Sequence, residues 1–144
     1  MTKIIESFFK EGDTFIELGA NEVCFPILAG KLCGSSGKII SMEPQKKLWN
    51  VINNNTFLNK LINIQILPYG IGSTKGEFLF QLYPTTISGA SSFSKSLSFK
   101  RFFSWIRKII YGTQIAKVLI MDEIRTSFPK FVKLIKIEPN CFVY

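Results

Sequence analysis

This chain of 144 residues contains no histidine, which excludes several kinds of catalytic and metal-binding site. A catalytic triad with a histidine base cannot form, and neither can a metal site with imidazole ligands. The cysteines are few (Cys24, Cys33 and Cys141), and no two of them have C-x-x-C spacing. The sequence therefore predicts neither a zinc site nor a disulfide framework, and it favours a reducing compartment.

Long apolar runs are also missing. The N-terminal residues include Glu6, Glu11 and Asp13, and they lack the continuous apolar core of a signal peptide. The longest uncharged stretch, Phe78 to Ser94, contains Pro84 and many hydroxyl groups, so it does not resemble a membrane span. We therefore expect a soluble, cytoplasmic protein.

Acidic residues are absent between Phe78 and Met121, in a chain whose net charge is +8. The basic residues of this region are Lys95, Lys100, Arg101, Arg107, Lys108 and Lys117. Phenylalanine and isoleucine recur there at helical spacing, which predicts a basic amphipathic insert around residues 93–116. Its apolar face could cover the sheet, or the insert could bind an anionic membrane surface or a polyanionic acceptor. No nucleic-acid-binding signature accompanies it, so we do not expect a nucleic acid partner.

The residues that are present indicate strands that alternate with helices in one domain. The chain is 47% hydrophobic, enough for a substantial core. The predicted strands are Thr14–Leu18, Lys38–Met42, Ile62–Leu67, Glu77–Leu82, Lys117–Met121 and Lys133–Ile137. The predicted helices are Lys3–Phe9, Val23–Cys33 and Gln45–Phe57. This alternation predicts a parallel sheet of the α/β class, with the last strand beside the first.

The junction after the first strand has the residues of a cofactor site. Glu17 and Gly19 lie where the strand ends and a helix begins; the glycine lets the backbone approach a ligand, and the acid can hold a hydroxyl or an amine. Glu43 ends the second strand about 20 residues later, where an acid holds ribose hydroxyls in dinucleotide folds. The alternatives are a turn without a ligand and, for Glu43, a cap of the next helix.

The glycine pattern argues against a nicotinamide cofactor, because Asn21 and Glu22 stand where G-x-G-x-x-G would need further glycines. The segment Ile16–Glu22 instead resembles the first motif of class I S-adenosylmethionine-dependent methyltransferases, and of the FkbM family in particular. Further segments that resemble this family follow in order, so the resemblance covers nearly the whole chain. They are Gly37–Pro44, Asn63–Gly72, Gly76–Glu77, Ala90–Ser92, Met121–Ile124 and Leu134–Glu138.

The resemblance implies a Rossmann-like class I methyltransferase fold with core strand order 3-2-1-4 and helices on both faces of the sheet. It also implies S-adenosylmethionine as cofactor and transfer of a methyl group to an oxygen of a sugar or another small hydroxylated metabolite; it implies no metal. The residues expected to bind the cofactor are Glu17, Gly19, Ala20, Asn21, Glu43, Tyr69 and Gly70. Those expected to orient or deprotonate the acceptor are Glu138 and Asn140. Alternatively, Glu138 is a surface acid paired with a lysine, and Tyr69 and Gly70 form a plain turn.

The chain also departs from the family pattern. Val23 and Cys141 replace family glycines, and the chain stops at Tyr144 where the family continues. We therefore expect a single methyltransferase domain over residues 1–144 that is incomplete at its C-terminal end. Its open sheet edge could pair two copies into a homodimer. A catalytically inactive remnant that acts as an interaction or membrane-surface module is the alternative to an enzyme.

Overall fold

The computed structural model describes residues 1–83, 91–93, 112–138 and 142–143. The helices are α1 (Thr2–Phe8), α2 (Cys24–Cys33), α3 (Lys46–Leu58) and α4 (Met121–Ile124), the last followed by a 3-10 helix over Arg125–Ser127. The strands are β1 (Thr14–Leu18), β2 (Lys38–Met42), β3 (Ile64–Leu67), β4 (Gly70–Gly72), β5 (Gly76–Gln81), β6 (Ser92–Phe93), β7 (Thr113–Leu119), β8 (Leu134–Ile137) and β9 (Phe142–Val143).

The main sheet has four strands in the order β3-β2-β1-β8, and all of its pairs are parallel. This confirms the predicted order 3-2-1-4 and the position of the last strand beside the first. Every residue of β1 is buried, as expected for the central strand of a parallel sheet. The chain therefore has an α/β fold with a Rossmann-like sheet.

Alternate residues of β1 build the core on the two faces of this sheet. Phe15 packs with Ala29 and Cys33 of α2 and with Ile5 of α1. Its neighbour Ile16 points to the opposite face, because successive strand residues alternate between faces. On that face the core also includes Ile71, Met121, Ile124 and Phe128. Helices thus lie on both faces, as predicted.

A second sheet of five strands has the order β6-β5-β7-β4-β9. The antiparallel pair β5 and β7 forms its centre, with Gly76 opposite Val118 and Gln81 opposite Thr113. The sequence predicted both of these strands, but it predicted neither the separate sheet nor β9, which pairs in parallel with β4. The register with β5 also explains why β7 begins at Thr113 instead of the expected Lys117.

The predicted basic insert is described only in part. Residues 94–111 lie outside the described part of the chain, so the amphipathic helix stays a prediction. The end of the expected insert, Thr113–Ala116, belongs to β7. Of the helices that the structure describes, α3 is the longest with 13 residues, and none is long and apolar enough to cross a membrane.

Candidate functional site

The turn between β1 and α2 is held against the end of β2 by backbone hydrogen bonds. Gly19 has a φ of +91°, a conformation that glycine adopts without steric cost. The N–H groups of Gly19 and Ala20 both donate to the carbonyl oxygen of Met42, at 2.9 and 3.0 Å. The turn that the sequence assigned to the cofactor is therefore a compact loop at the carboxyl ends of two adjacent strands.

Val23 occupies the position where the family resemblance calls for glycine. Its φ of 60° and ψ of 28° are left-handed, a region that β-branched residues rarely enter. The side chain is fully buried and packs with Ala20, Leu48 and Ile52. A left-handed conformation costs a residue with a Cβ atom about 1–2 kcal/mol, which this apolar packing offsets. The left-handed backbone favours glycine at this position, and the apolar packing of the side chain stabilises the valine that is present.

Glu43 connects the turn after β1 to the turn after β2. One carboxylate oxygen, Oε2, accepts the N–H of Asn21 at 2.8 Å, and the other, Oε1, accepts the N–H of Gln45 at 2.9 Å. The backbone carbonyl of Glu43 accepts the indole N–H of Trp49 at 2.9 Å. Glu43 has no exposed surface. Burial raises the pKa of this carboxyl above its ordinary value, against the lowering effect of the two backbone N–H donors.

A second acid, Glu17, lies at the end of β1 opposite Lys136 of β8. The Lys136 Nζ is 2.8 Å from Glu17 Oε1 and 3.3 Å from Glu138 Oε2, and it lies 5.1 Å from the ring centroid of Phe25. Burial raises the pKa of the Glu17 carboxyl to about 7, although the hydrogen bond and charge of Lys136 act in the lowering direction. Burial lowers the pKa of Lys136, but its two carboxylate partners outweigh that effect, so this pKa is raised.

Two polar atoms beside this ion pair have no hydrogen-bond partner within the described ranges. They are Glu17 Oε2 and Ser41 Oγ, and both are buried. Ser41 of β2 is the register neighbour of Glu17, just as Lys136 is on the other side. The result is a polar row of Ser41, Glu17 and Lys136 across three strands. A buried atom that lacks a partner costs free energy, and a ligand that supplies the missing hydrogen bond recovers it.

Sequence reasoning gave no role to Lys136 or Ser41. The sequence spacing could have indicated both residues. In the predicted strands, Glu17, Ser41 and Lys136 each lie three positions after the first residue, so parallel pairing brings the three side by side. Opposite charges side by side on a buried strand pair then point to an ion pair.

The four remaining residues of the predicted site, Tyr69, Gly70, Glu138 and Asn140, are not all in the surroundings that the sequence predicted. Gly70 is buried and begins β4, where it pairs with Val118, so it belongs to a strand and not to a free turn. Tyr69 precedes it, and the Nζ of Lys117 lies 5.5 Å from its ring centroid. Glu138 is partly exposed and paired with Lys136, as its surface alternative predicted. Asn140 lies outside the described residues.

The second sheet lies against the carboxyl end of β2. Gln114 of β7 donates its side-chain N–H to the carbonyl of Pro44, and its Oε1 accepts the N–H of Lys46 at 3.1 Å. Nearby, the Nζ of Lys47 donates to the carbonyl of Tyr83. We call the two hydrogen bonds of Gln114 the Gln114 clasp. The clasp fastens β7 to the residues that follow Glu43.

Within the described parts of the chain, no group of three or more histidine, cysteine, aspartate or glutamate side chains could hold a metal ion. The acids at the carboxyl ends of the strands interact with backbone N–H groups and with lysine. Their arrangement suits a ligand that carries hydroxyl and amine groups.

No protein-family model and no curated protein matches the sequence. Similar solved structures include an S-adenosylmethionine-dependent methyltransferase from Aquifex aeolicus, 24% identical with a TM-score of 0.41, where the match covers 45% of this chain and 35% of the other. Another is an S-adenosylmethionine-dependent O-methyltransferase from Thermotoga maritima, 25% identical with a TM-score of 0.44, covering 46% and 26%. A protein-L-isoaspartate O-methyltransferase is 15% identical with a TM-score of 0.42, covering 46% and 22%. The match thus covers 35%, 26% and 22% of these three methyltransferases, well under half of each.

Proposed function

We propose that this chain binds S-adenosylmethionine at the carboxyl ends of β1 and β2 and takes part in methyl transfer to an oxygen atom. The observation that carries the proposal is the meeting of two acids and one glycine turn. Glu17 ends β1, Glu43 ends β2, and the Asn21 N–H of the connecting turn lies 2.8 Å from Glu43 Oε2. Acids at these two strand ends, with the turn between them, suit a ligand that has an amine at one end and a ribose at the other.

The atoms around Glu17 support the amine end of this ligand. Glu17 Oε2 has no hydrogen-bond partner in the described structure, and it could accept one from an ammonium group. In this proposal Glu17, Gly19, Ala20 and Asn21 hold the methionine moiety. Glu43 holds the ribose, and Tyr69 and Gly70 line the adenine site.

The bound cofactor would supply an electrophilic methyl group. The chain's own residues would then have to exclude water and orient the acceptor oxygen in line with that methyl group. Glu138 sits beside the cofactor end of β1, with its side chain 44% exposed and Lys136 Nζ within 3.3 Å. We assign Glu138 the role of orienting an acceptor hydroxyl and accepting its proton, with Asn140 as a second orienting group.

The acceptor class is the finer part of the proposal. The ordered motifs that resemble the FkbM family support a sugar or another small hydroxylated metabolite. A hydroxyl acceptor also suits a partly exposed carboxylate, because such a group accepts a hydrogen bond from a hydroxyl and keeps access to solvent for the released proton.

Access to Glu43 requires the site to open. The carboxylate has no exposed surface, and the Gln114 clasp holds β7 against the next residues of the chain. A ribose therefore binds only when the clasp parts from the Pro44–Lys46 turn. The apparent affinity then equals the affinity of the open form multiplied by the fraction of molecules that are open.

Isothermal titration of S-adenosylmethionine and S-adenosylhomocysteine into the full chain tests the proposal. We expect saturable binding that is weakened at least tenfold in Glu43→Gln, because the amide loses the charge that holds ribose hydroxyls. Glu6→Gln is the matched control, since Glu6 is an exposed acid of α1, a helix that supplies no residue of the site. A well-folded wild-type protein that releases no heat with either compound would refute the function. Equal affinity in Glu43→Gln would refute only the ribose assignment.

A further inference from the structure

The most exposed large hydrophobic side chains of the described chain lie along one edge of the main sheet. They are Phe57 at 81%, Leu58 at 74%, Ile62 at 89% and Phe131 at 81% exposed. The first two end α3, the third precedes β3, and the last precedes β8. Because the strands are parallel, the residues before them share the amino-terminal edge, opposite the candidate cofactor site.

These side chains form two anchors and not one groove. The strands β3 and β8 are the outer strands of the main sheet, with β2 and β1 between them. At about 4.8 Å per strand, the anchors before β3 and β8 are roughly 14 Å apart. A flat surface can contact both anchors at once, whereas a helix in a groove would need a continuous apolar channel.

Lysines accompany each anchor, and the two chain segments that supply the anchors contain no acidic residue. Residues 44–76, which supply the first anchor, contain no aspartate or glutamate and include Lys60. Residues 124–137, which supply the second, contain none either and include Lys130, whose Nζ lies 5.9 Å from the ring centroid of Phe131. Asp13, before β1, lies on the same edge between the two anchors, but its charge is engaged: it accepts the N–H of Lys10 and lies 3.9 Å from Lys133 Nζ.

We propose that this edge binds an anionic lipid surface. We call the set Phe57, Leu58, Ile62, Phe131, Lys60 and Lys130 the lipid-facing rim. Its apolar side chains would enter the interface between headgroups and acyl chains, while its lysines would contact anionic headgroups. A second copy of this chain would bring like charges together, and a nucleic acid would leave the aliphatic side chains in water. The rim lies opposite the carboxyl ends of the strands, so this proposal is independent of the proposed function.

Co-sedimentation with vesicles tests the rim. We expect the full chain to bind vesicles of phosphatidylcholine and phosphatidylserine in equal parts, and to bind pure phosphatidylcholine much more weakly. Binding should fall as salt rises, because salt screens the lysines. Lys60→Gln should weaken binding about fivefold, the factor that corresponds to about 1 kcal/mol for a lysine near an anionic surface. The double variant Phe57→Ser with Phe131→Ser should weaken it at least tenfold.

The matched control is Ile115→Ser, which removes an exposed hydrophobic side chain from β7, in the second sheet. This variant should bind vesicles like the wild type, and circular dichroism should show that all variants are folded. No vesicle binding by the wild type would overturn the proposal. Binding that is unchanged in the phenylalanine double variant would also overturn it, since a purely electrostatic contact, such as a nucleic acid also makes, does not need these side chains.

Discussion

At the scale of single residues, the polar row at the ends of β2, β1 and β8 makes folding depend on pH. Glu17 is 1% exposed, and its carboxylate has one ion-pair partner, Lys136, for two oxygens. Desolvation therefore outweighs the attraction of the lysine, and burial raises the pKa of Glu17 to about 7. The Ser41 hydroxyl beside it makes no hydrogen bond to any described residue, so the charged form is less stabilised than a fully hydrogen-bonded carboxylate would be.

The Glu17→Gln variant tests this account through the pH dependence of stability. The folded pKa of about 7 lies above the ordinary 4.5, so the stability contributed by protonated Glu17 is complete below pH 4.5 and is lost as pH rises through 7. The pKa difference of about 2.5 corresponds to about 3.5 kcal/mol at about 1.4 kcal/mol per unit, of which about 3 kcal/mol is lost between pH 4.5 and 8. Glutamine cannot ionise, so the variant should escape this loss and gain on the wild type by up to about 3 kcal/mol between pH 4.5 and 8.

Urea unfolding at several pH values measures that difference. Glu22→Gln, an exposed acid in the neighbouring turn, is the control and should follow the wild-type curve. Curves for Glu17→Gln and the wild type that run parallel from pH 4.5 to 8 would mean that Glu17 is ionised throughout, and the desolvation argument would be wrong.

At the scale of elements, the sequence predicted the parts whose pattern is local. Strand β1 followed from an apolar run that contains Glu17, whereas the strand order 3-2-1-4 was what the family resemblance implied; both are confirmed. The second sheet was missed because its pairs join distant residues, such as Ile71 with Phe142, for which no local pattern exists. For the same reason the Gln114 clasp was not predicted, since nothing near Gln114 in sequence indicates a contact with Pro44.

The Gln114 clasp gives a prediction about elements. Gln114→Ala removes two hydrogen bonds between β7 and the Pro44–Lys46 turn, each worth about 0.5–1.5 kcal/mol. The closed arrangement should become less populated, so S-adenosylhomocysteine should bind several-fold more tightly while the melting temperature falls. Titration calorimetry and thermal unfolding on the same samples check both effects.

Gln81→Ala is the control for this prediction. Gln81 ends β5, the neighbour of β7, and pairs with Thr113, so its side chain lies on the face of the sheet opposite that of Gln114. It should lower the melting temperature without tightening ligand binding. Affinity in Gln114→Ala that is unchanged or weaker would mean that the clasp does not restrict entry to the site.

At the scale of the whole molecule, the net charge of +8 and the placement of that charge have separable effects. Repulsion among like charges destabilises the compact state regardless of which lysines carry them, and salt screens it. Two charge-reduced variants separate the effects: Lys60→Gln with Lys130→Gln in the lipid-facing rim, and Lys3→Gln with Lys46→Gln outside it. Each carries a net charge of +6, which is +8 minus 2.

We expect the melting temperature of the wild type to rise with sodium chloride at low ionic strength. Both variants should show the same, smaller rise, because they share one net charge and their lysine side chains are exposed. Vesicle binding should nevertheless differ, since only the rim variant lacks lysines beside Phe57 and Phe131. If both variants lost vesicle binding equally, the attraction would be a property of total charge, and the position of the rim would have no part in it.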